Sequence, residues 1–242
     1  MLNLQAFFWR EILKINGISL IDLCKTYNID YKNIKALDKI NLTLDPQKRN
    51  ILIGPSGCGK STLIKAVGGL LEIDSGKIIK NDIKTSIVFQ NPRLLPWLNV
   101  KENILFSNQN ENLCKKWIKI IGLEGFENAY PSQLSGGMKA RVSLARALIF
   151  PNNFMLLDEP FASVDEISKE RLEKELISYM KIKDSGFLFV SHDLEEALNL
   201  GQRIIVMKKG KIVSDFNLED KKISKEILRE NFKKIIGEEN EK

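Results

Sequence analysis

Histidine, cysteine and long apolar runs are scarce in this sequence. One histidine, His192, and three scattered cysteines, Cys24, Cys58 and Cys114, stand in 242 residues. No two cysteines form a C-x-x-C pair, which argues against a disulfide framework and against a zinc site. A reducing compartment fits that usage. No stretch reaches the ~18 to 20 uninterrupted apolar residues that a membrane-spanning helix needs. Met1 to Ile15 hold Phe7, Phe8 and Trp9 but neither a basic start nor a clean apolar run, so no secretory signal is expected. Internal repeats and low-complexity tracts are absent. The net charge of +6 is spread over segments such as Lys208-Lys209 and Lys221-Lys222, without a dense basic patch interleaved with aromatics. That counts against a nucleic-acid surface.

What remains is the composition of a soluble globular chain, 28% charged and 43% hydrophobic, long enough for one main domain and a subdomain. Its most informative stretch is Gly54-Pro55-Ser56-Gly57-Cys58-Gly59-Lys60-Ser61-Thr62, between the apolar triplet Ile51-Leu52-Ile53 and Leu63-Ile64-Lys65-Ala66-Val67. This reads as buried strand, glycine loop and helix. It matches G-x-x-x-x-G-K-[ST], the phosphate cradle of nucleotide triphosphatases. Glycines let the backbone curl until several N–H groups face one anion, and the helix start adds its positive dipole end. Lys60 is expected to reach the β- and γ-phosphates, Ser61 to bind Mg²⁺ and Thr62 to touch the α-phosphate. A ligand-free glycine turn would look the same in isolation, so the case depends on what accompanies it.

Two segments accompany it. Phe154-Met155-Leu156-Leu157 reads as a strand buried on both faces, and Asp158-Glu159-Pro160 follows at its C-terminal end. Ligands of open parallel sheets bind beyond such ends. Asp158 is therefore expected to help hold Mg²⁺, and Glu159 to act as base on the attacking water. Leu134-Ser135-Gly136-Gly137-Met138 opens a helical segment with Val142, Ala145 and Leu148 on one face. Its start is a second helix N-terminus suited to an anion.

Together with Gln90, Ser163-Val164-Asp165 and Ser191-His192-Asp193, these stretches resemble, in order, the motifs of the nucleotide-binding subunit of ATP-binding cassette (ABC) transporters. The likeness covers roughly residues 18 to 215. It implies an α/β P-loop NTPase (RecA-like) core with an antiparallel β subdomain and an inserted α-helical subdomain at about 91–150. Residues 1–17 would be an extension, with Leu4, Phe8, Ile12 and Ile15 on one helix face, and 216–242 a charged helical tail frayed at its end. By the resemblance Gln90 senses Mg²⁺ and the attacking water, His192 contacts the γ-phosphate, and Asp165 links the two active sites of a dimer. Tyr27, after the first strand, would stack on adenine; Tyr31 is close by, and either ring could instead pack in the core. A lone histidine is more often structural, but His192 follows the buried run Phe187-Leu188-Phe189-Val190 and so ends a strand beside the expected site.

The resemblance further implies ATP and Mg²⁺ as ligands. Two copies would sandwich two ATP molecules, with Ser135, Gly136 and Gly137 of one copy facing Lys60, Asp158 and Glu159 of the other. Membrane permease subunits, and indirectly a solute-binding protein, would be partners at the cytoplasmic face of the membrane. The run Pro92-Arg93-Leu94-Leu95-Pro96-Trp97 resembles the branch that imports nitrate, sulfonates and taurine. Ala140 and Ala162-Ser163-Val164 depart from that branch without removing a phosphate, metal or water contact. Trp97 is expected either to meet the permease or to pack within the helical subdomain. A soluble ABC ATPase outside transport is the alternative, although such proteins usually carry long insertions or two cassettes in one chain.

Overall fold

The computed structural model describes residues 17–220 and 225–237. The expectations for the extension up to residue 16, for Lys221-Lys222 and for the frayed end at 238–242 lie outside the described residues. The chain divides into two compact units, one of Met1–Ile83 with Gly186–Lys242, the other of Lys84–Ser185.

In the first unit, β1 (Ile18–Ile29) pairs antiparallel with β2 (Lys32–Leu44) and with β4 (Ser75–Ile79). Asp30 and Tyr31, at φ 48° and 63°, make the two-residue turn of the β1–β2 hairpin. In the sequence only the apolar residues clustered in Ile18 to Leu23 and alternating in Asn41 to Leu44 mark these strands, which run well beyond both stretches. The reason is irregular register. Pairing shifts between Leu20 and Leu23 and again between Leu23 and Lys25 break the period of two that marks a strand. Tyr27 therefore lies within β1, opposite Ile34, and not after it.

A parallel core lies beside that hairpin sheet in the same unit. β3 (Arg49–Ile53) runs parallel between β7 (Gly186–Ser191) and β8 (Arg203–Lys208), and β9 (Lys211–Asn217) closes against β8 as an antiparallel hairpin. Flanked on both sides, Ile51, Leu52 and Ile53 are fully buried, which is why the segment reads as an unbroken apolar run. Lys209 and Gly210, at φ 47° and 78°, turn the β8–β9 hairpin. Helix α1 (Lys60–Val67) leaves the end of β3, and α6 (Leu194–Leu200) leaves the end of β7. The charged tail contains helix α7 (Lys225–Gly237).

The second unit carries the parallel pair β5 (Thr85–Val88) and β6 (Phe154–Asp158), with Val88 opposite Leu157. Its helices are α2 (Val100–Leu105), α3 (Glu111–Ile120), α4 (Gly136–Ile149) and α5 (Glu166–Ile182). Asn99 and Glu102 form a capping box on α2, and Asn110 caps α3. The buried face of α3 presents Cys114, Trp117 and Ile118. Trp117 meets Tyr179 of α5 edge-on at 5.0 Å, and the Tyr179 hydroxyl donates to the Leu148 carbonyl of α4 at 3.0 Å. One aromatic pair thus ties three helices together.

Candidate functional site

The expected site residues fall into one set per unit. In the first unit the glycine loop is built around backbone that only glycine tolerates. Gly54 and Gly59 have φ of 158° and 113°, and a side chain would meet the Met207 carbonyl at 2.0 Å or the Ala36 carbonyl at 2.1 Å. Gly57, at φ 76°, has nothing within 4 Å of where a side chain would start, so this rim of the loop is bare. Gly59 caps α1 without any side-chain hydrogen bond. Lys60 is buried, and its ammonium donates to the carbonyls of Gly54 at 2.7 Å and Pro55 at 3.0 Å. A bare glycine rim, a helix start with no side-chain cap and a lysine folded over the loop fit a polyphosphate. Cys58 is buried, with its N–H on the Pro55 carbonyl and its own carbonyl accepting from Gly210. Its side chain is covered by the fold.

Strand register brings His192 to this loop. Ile53 pairs with Ser191 across β3 and β7, so Gly54 and His192 leave adjacent parallel strands at the same level. His192 is exposed, and Asp193 caps α6 behind it by accepting from Glu195 N–H at 2.8 Å and Glu196 N–H at 3.4 Å. Tyr27 is half-buried, with the Lys25 ammonium 6.0 Å from its ring centre. It belongs to the hairpin whose Ala36 carbonyl abuts Gly59. Tyr31 projects fully into solvent at the hairpin tip, so it is not a core residue.

The second unit gathers the remaining groups. Gln90 and Glu159 lie just past the paired ends of β5 and β6, and the Gln90 amide donates to the Glu159 carboxylate at 3.1 Å. Glu159 holds φ of 46°, a strained conformation for a side chain of its kind. Asp158 before it is buried. The Ser135 hydroxyl caps α4 by accepting from Met138 N–H at 3.2 Å. A side chain at Gly137 would come within 2.8 Å of the Ser163 carbonyl, so the Ser-Gly-Gly turn packs against the loop that leads to Asp165. Asp165 caps α5 by accepting from Ser168 N–H at 2.9 Å, and that bond holds its carboxyl below the usual range.

Comparison with known proteins decides the family. The profile described as ABC transporter matches residues 37–162. The chain belongs to the ABC transporter family. This cassette is 39% identical over 209 residues to the aliphatic sulfonates import ATP-binding protein SsuB of Bacillus cereus, across 81% of this chain and 83% of that protein. It is 43% identical over 176 residues to SsuB 2 of Pseudomonas syringae pv. tomato, across 71% and 75%. Among solved structures, the dimeric post-hydrolysis state of the ATP-binding cassette MJ0796 bound to ADP and Pi matches with a TM-score of 0.75 at 30% identity, covering 83% of this chain and 98% of that one. The cassette has the P-loop NTPase fold with its β and helical additions, and it binds and hydrolyses ATP. No helix among the described residues is long and apolar enough to cross a membrane.

Two residues of the second unit escaped the sequence reading. Asn103 is fully buried on α2, and Arg146 is half-buried on α4, four positions after the buried Val142. A charge on an otherwise apolar helix face was the available signal for Arg146; Asn103 gave none.

Proposed function

We propose that the cassette is the ATP-hydrolysing subunit of an importer for aliphatic sulfonates or a closely related small solute such as taurine or nitrate. The observation that carries this reading is its 39% and 43% identity, over most of its length, to two proteins named for aliphatic sulfonate import. The roles follow from the chemistry at each position. Lys60 and backbone N–H groups of the loop that leads into α1 bind the β- and γ-phosphates, and Thr62 touches the α-phosphate. Hard oxygen donors that would suit Mg²⁺ are present in each unit, Ser61 in the first and Asp158 and Gln90 in the second. Glu159 takes a proton from the attacking water, and Gln90, already bonded to Glu159, orients that water. His192, level with Gly54, contacts the γ-phosphate, while Tyr27 stacks on the adenine.

Ser135, Gly136 and Gly137 serve the ATP of a second copy, and Asp165 lies at that junction. Two dimeric structures of MJ0796 support the assembly. Trp97 is 69% exposed on a loop stiffened by Pro92 and Pro96, while Leu94 and Leu95 are half-buried. That exposed ring is suited to dock a permease segment, and an importer subunit of this kind would sit peripherally on the cytoplasmic face of a membrane. A solute-binding protein would act through the permease.

The test is transport. The full chain, reconstituted in vesicles with permease subunits that co-purify with it and with a sulfonate-binding protein, should take up labelled ethanesulfonate when ATP is present on the cassette side. Uptake of an unrelated solute, with ethanesulfonate, taurine and nitrate all ignored, overturns the substrate class. ATP hydrolysis without any membrane partner leaves the soluble alternative standing.

A further inference from the structure

The loop that presents Trp97 is bound from below by two groups outside the nucleotide motifs. The Asn103 side-chain amide donates to the carbonyls of Leu95 at 3.1 Å, Leu98 at 2.8 Å and Asn99 at 3.0 Å, and its oxygen accepts from Leu95 N–H at 2.8 Å. Arg146 reaches the same loop from α4. Its guanidinium donates to the Arg93 carbonyl at 2.6 Å and to the Asn103 side-chain oxygen at 3.5 Å. Burial pushes that guanidinium below its usual pKa. Both acceptors are neutral oxygens of the loop and of its tether, so any shift of the loop away from α4 strands a partly buried cation.

The other end of the loop is fastened too. The Arg93 guanidinium lies 4.3 Å from the centre of the Phe89 ring, closing a turn around Gln90, which donates to Glu159. Glu159 is thus joined to Gln90 by a hydrogen bond, Gln90 to Phe89 by the chain itself, Phe89 to Arg93 by the cation–ring contact and Arg93 to Arg146 by a hydrogen bond, and Arg146 sits on the helix that Ser135-Gly136-Gly137 opens. At the far end of α4 the Ser107 hydroxyl donates to the Arg146 carbonyl at 2.7 Å, fixing α2 to the same helix.

We infer that Arg146, with Asn103, is a positioning residue that locks the loop carrying Trp97 to helix α4, so that the loop, Gln90 and the Ser-Gly-Gly turn move as one body. A change at the γ-phosphate then reaches Trp97, and a push on Trp97 reaches the turn that serves the second copy's ATP. This coupling rests on the roles proposed above for Gln90 and for Ser135 to Gly137. By linkage, coupling of the binding free energies is reciprocal.

The experiment uses the full chain labelled with 5-fluorotryptophan. The fluorine signal of Trp97, identified by its loss in Trp97→Phe, is followed during titration with the imido analogue of ATP and Mg²⁺. In the parent chain the signal should shift on saturation. Arg146→Met should bind the analogue with near-parental affinity and lose the shift. Arg146→Lys, which keeps a charged donor for the Arg93 carbonyl, should restore most of it. If Arg146→Met fails to fold, Arg146→Gln gives the same reading, with a reduced shift expected. A parental shift in the Met or Gln variant overturns the positioning role. A parent chain that binds the analogue with Trp97 unmoved overturns the coupling at its Gln90 end. No binding by the parent at all would instead sink the nucleotide reading, and this inference with it.

Discussion

The Gln90 amide and the Glu159 carboxylate meet at 3.1 Å, just beyond two parallel strands whose register sets both at the same level. Neither residue reaches the other by sequence proximity; the β5–β6 pairing brings them together. Glutamine at position 159 would still offer an oxygen to the Gln90 amide. Glu159→Gln should therefore fold normally and bind ATP, yet lose about 10²- to 10⁴-fold in turnover, the usual contribution of a general base. A phosphate-release assay on the assembled transporter checks this, and parental turnover would show that Glu159 is not the base.

Trapped ATP should also report on assembly. In the Glu159→Gln chain, ATP with Mg²⁺ should convert monomer to dimer, seen by light scattering. Adding Ser135→Arg should block that conversion, because it places bulk and charge at a turn already packed against the Ser163 loop. A dimer indifferent to Ser135→Arg would remove this serine from the second copy's site.

Glycines of the phosphate loop should differ in what they contribute to stability. Gly59→Ala forces a side chain against the Ala36 carbonyl at 2.1 Å and into a left-handed conformation. Gly57→Ala meets nothing within 4 Å and carries only the conformational penalty, about 1–2 kcal/mol. Thermal melting of the nucleotide-free chain should thus fall clearly further for Gly59→Ala. Equal melting temperatures would mean that the close approach of β2 to the loop is absent in solution.

Trp97 separates docking from packing. Its ring is 69% exposed, so Trp97→Ala should leave the melting temperature of the isolated subunit almost unchanged, as surface changes within about 0.5 kcal/mol do. Loss of an aromatic anchor at an interface costs about 2 kcal/mol or more. Co-purification with the permease should weaken accordingly, with ATP affinity of the isolated subunit intact. A large drop in melting temperature together with unchanged permease binding would return Trp97 to the core of the helical unit.

Much of this protein was legible in its sequence because the signals are local. The loop from Gly54 to Thr62 spells out its own backbone, since positive φ at Gly54, Gly57 and Gly59 needs glycine. Buried parallel strands such as β3, β6 and β7 announce themselves as unbroken apolar runs, and the carboxylates at 158 and 159 follow directly from where one of those runs stops. Pairing across the chain was not legible. Hairpin β1–β2 hid behind its bulges, so Tyr27 was expected past the strand that contains it. The exposure of Trp97 and Tyr31 depended on which neighbours covered them. The polar fastening of the Trp97 loop by Asn103 and Arg146 joins residues 43 apart in sequence, Asn103 and Arg146, through one side-chain contact. Composition and spacing determine which chemistry a residue can do; only the packing of helices and the register of strands decides which groups it meets, because those distances depend on the whole fold and not on the neighbouring sequence.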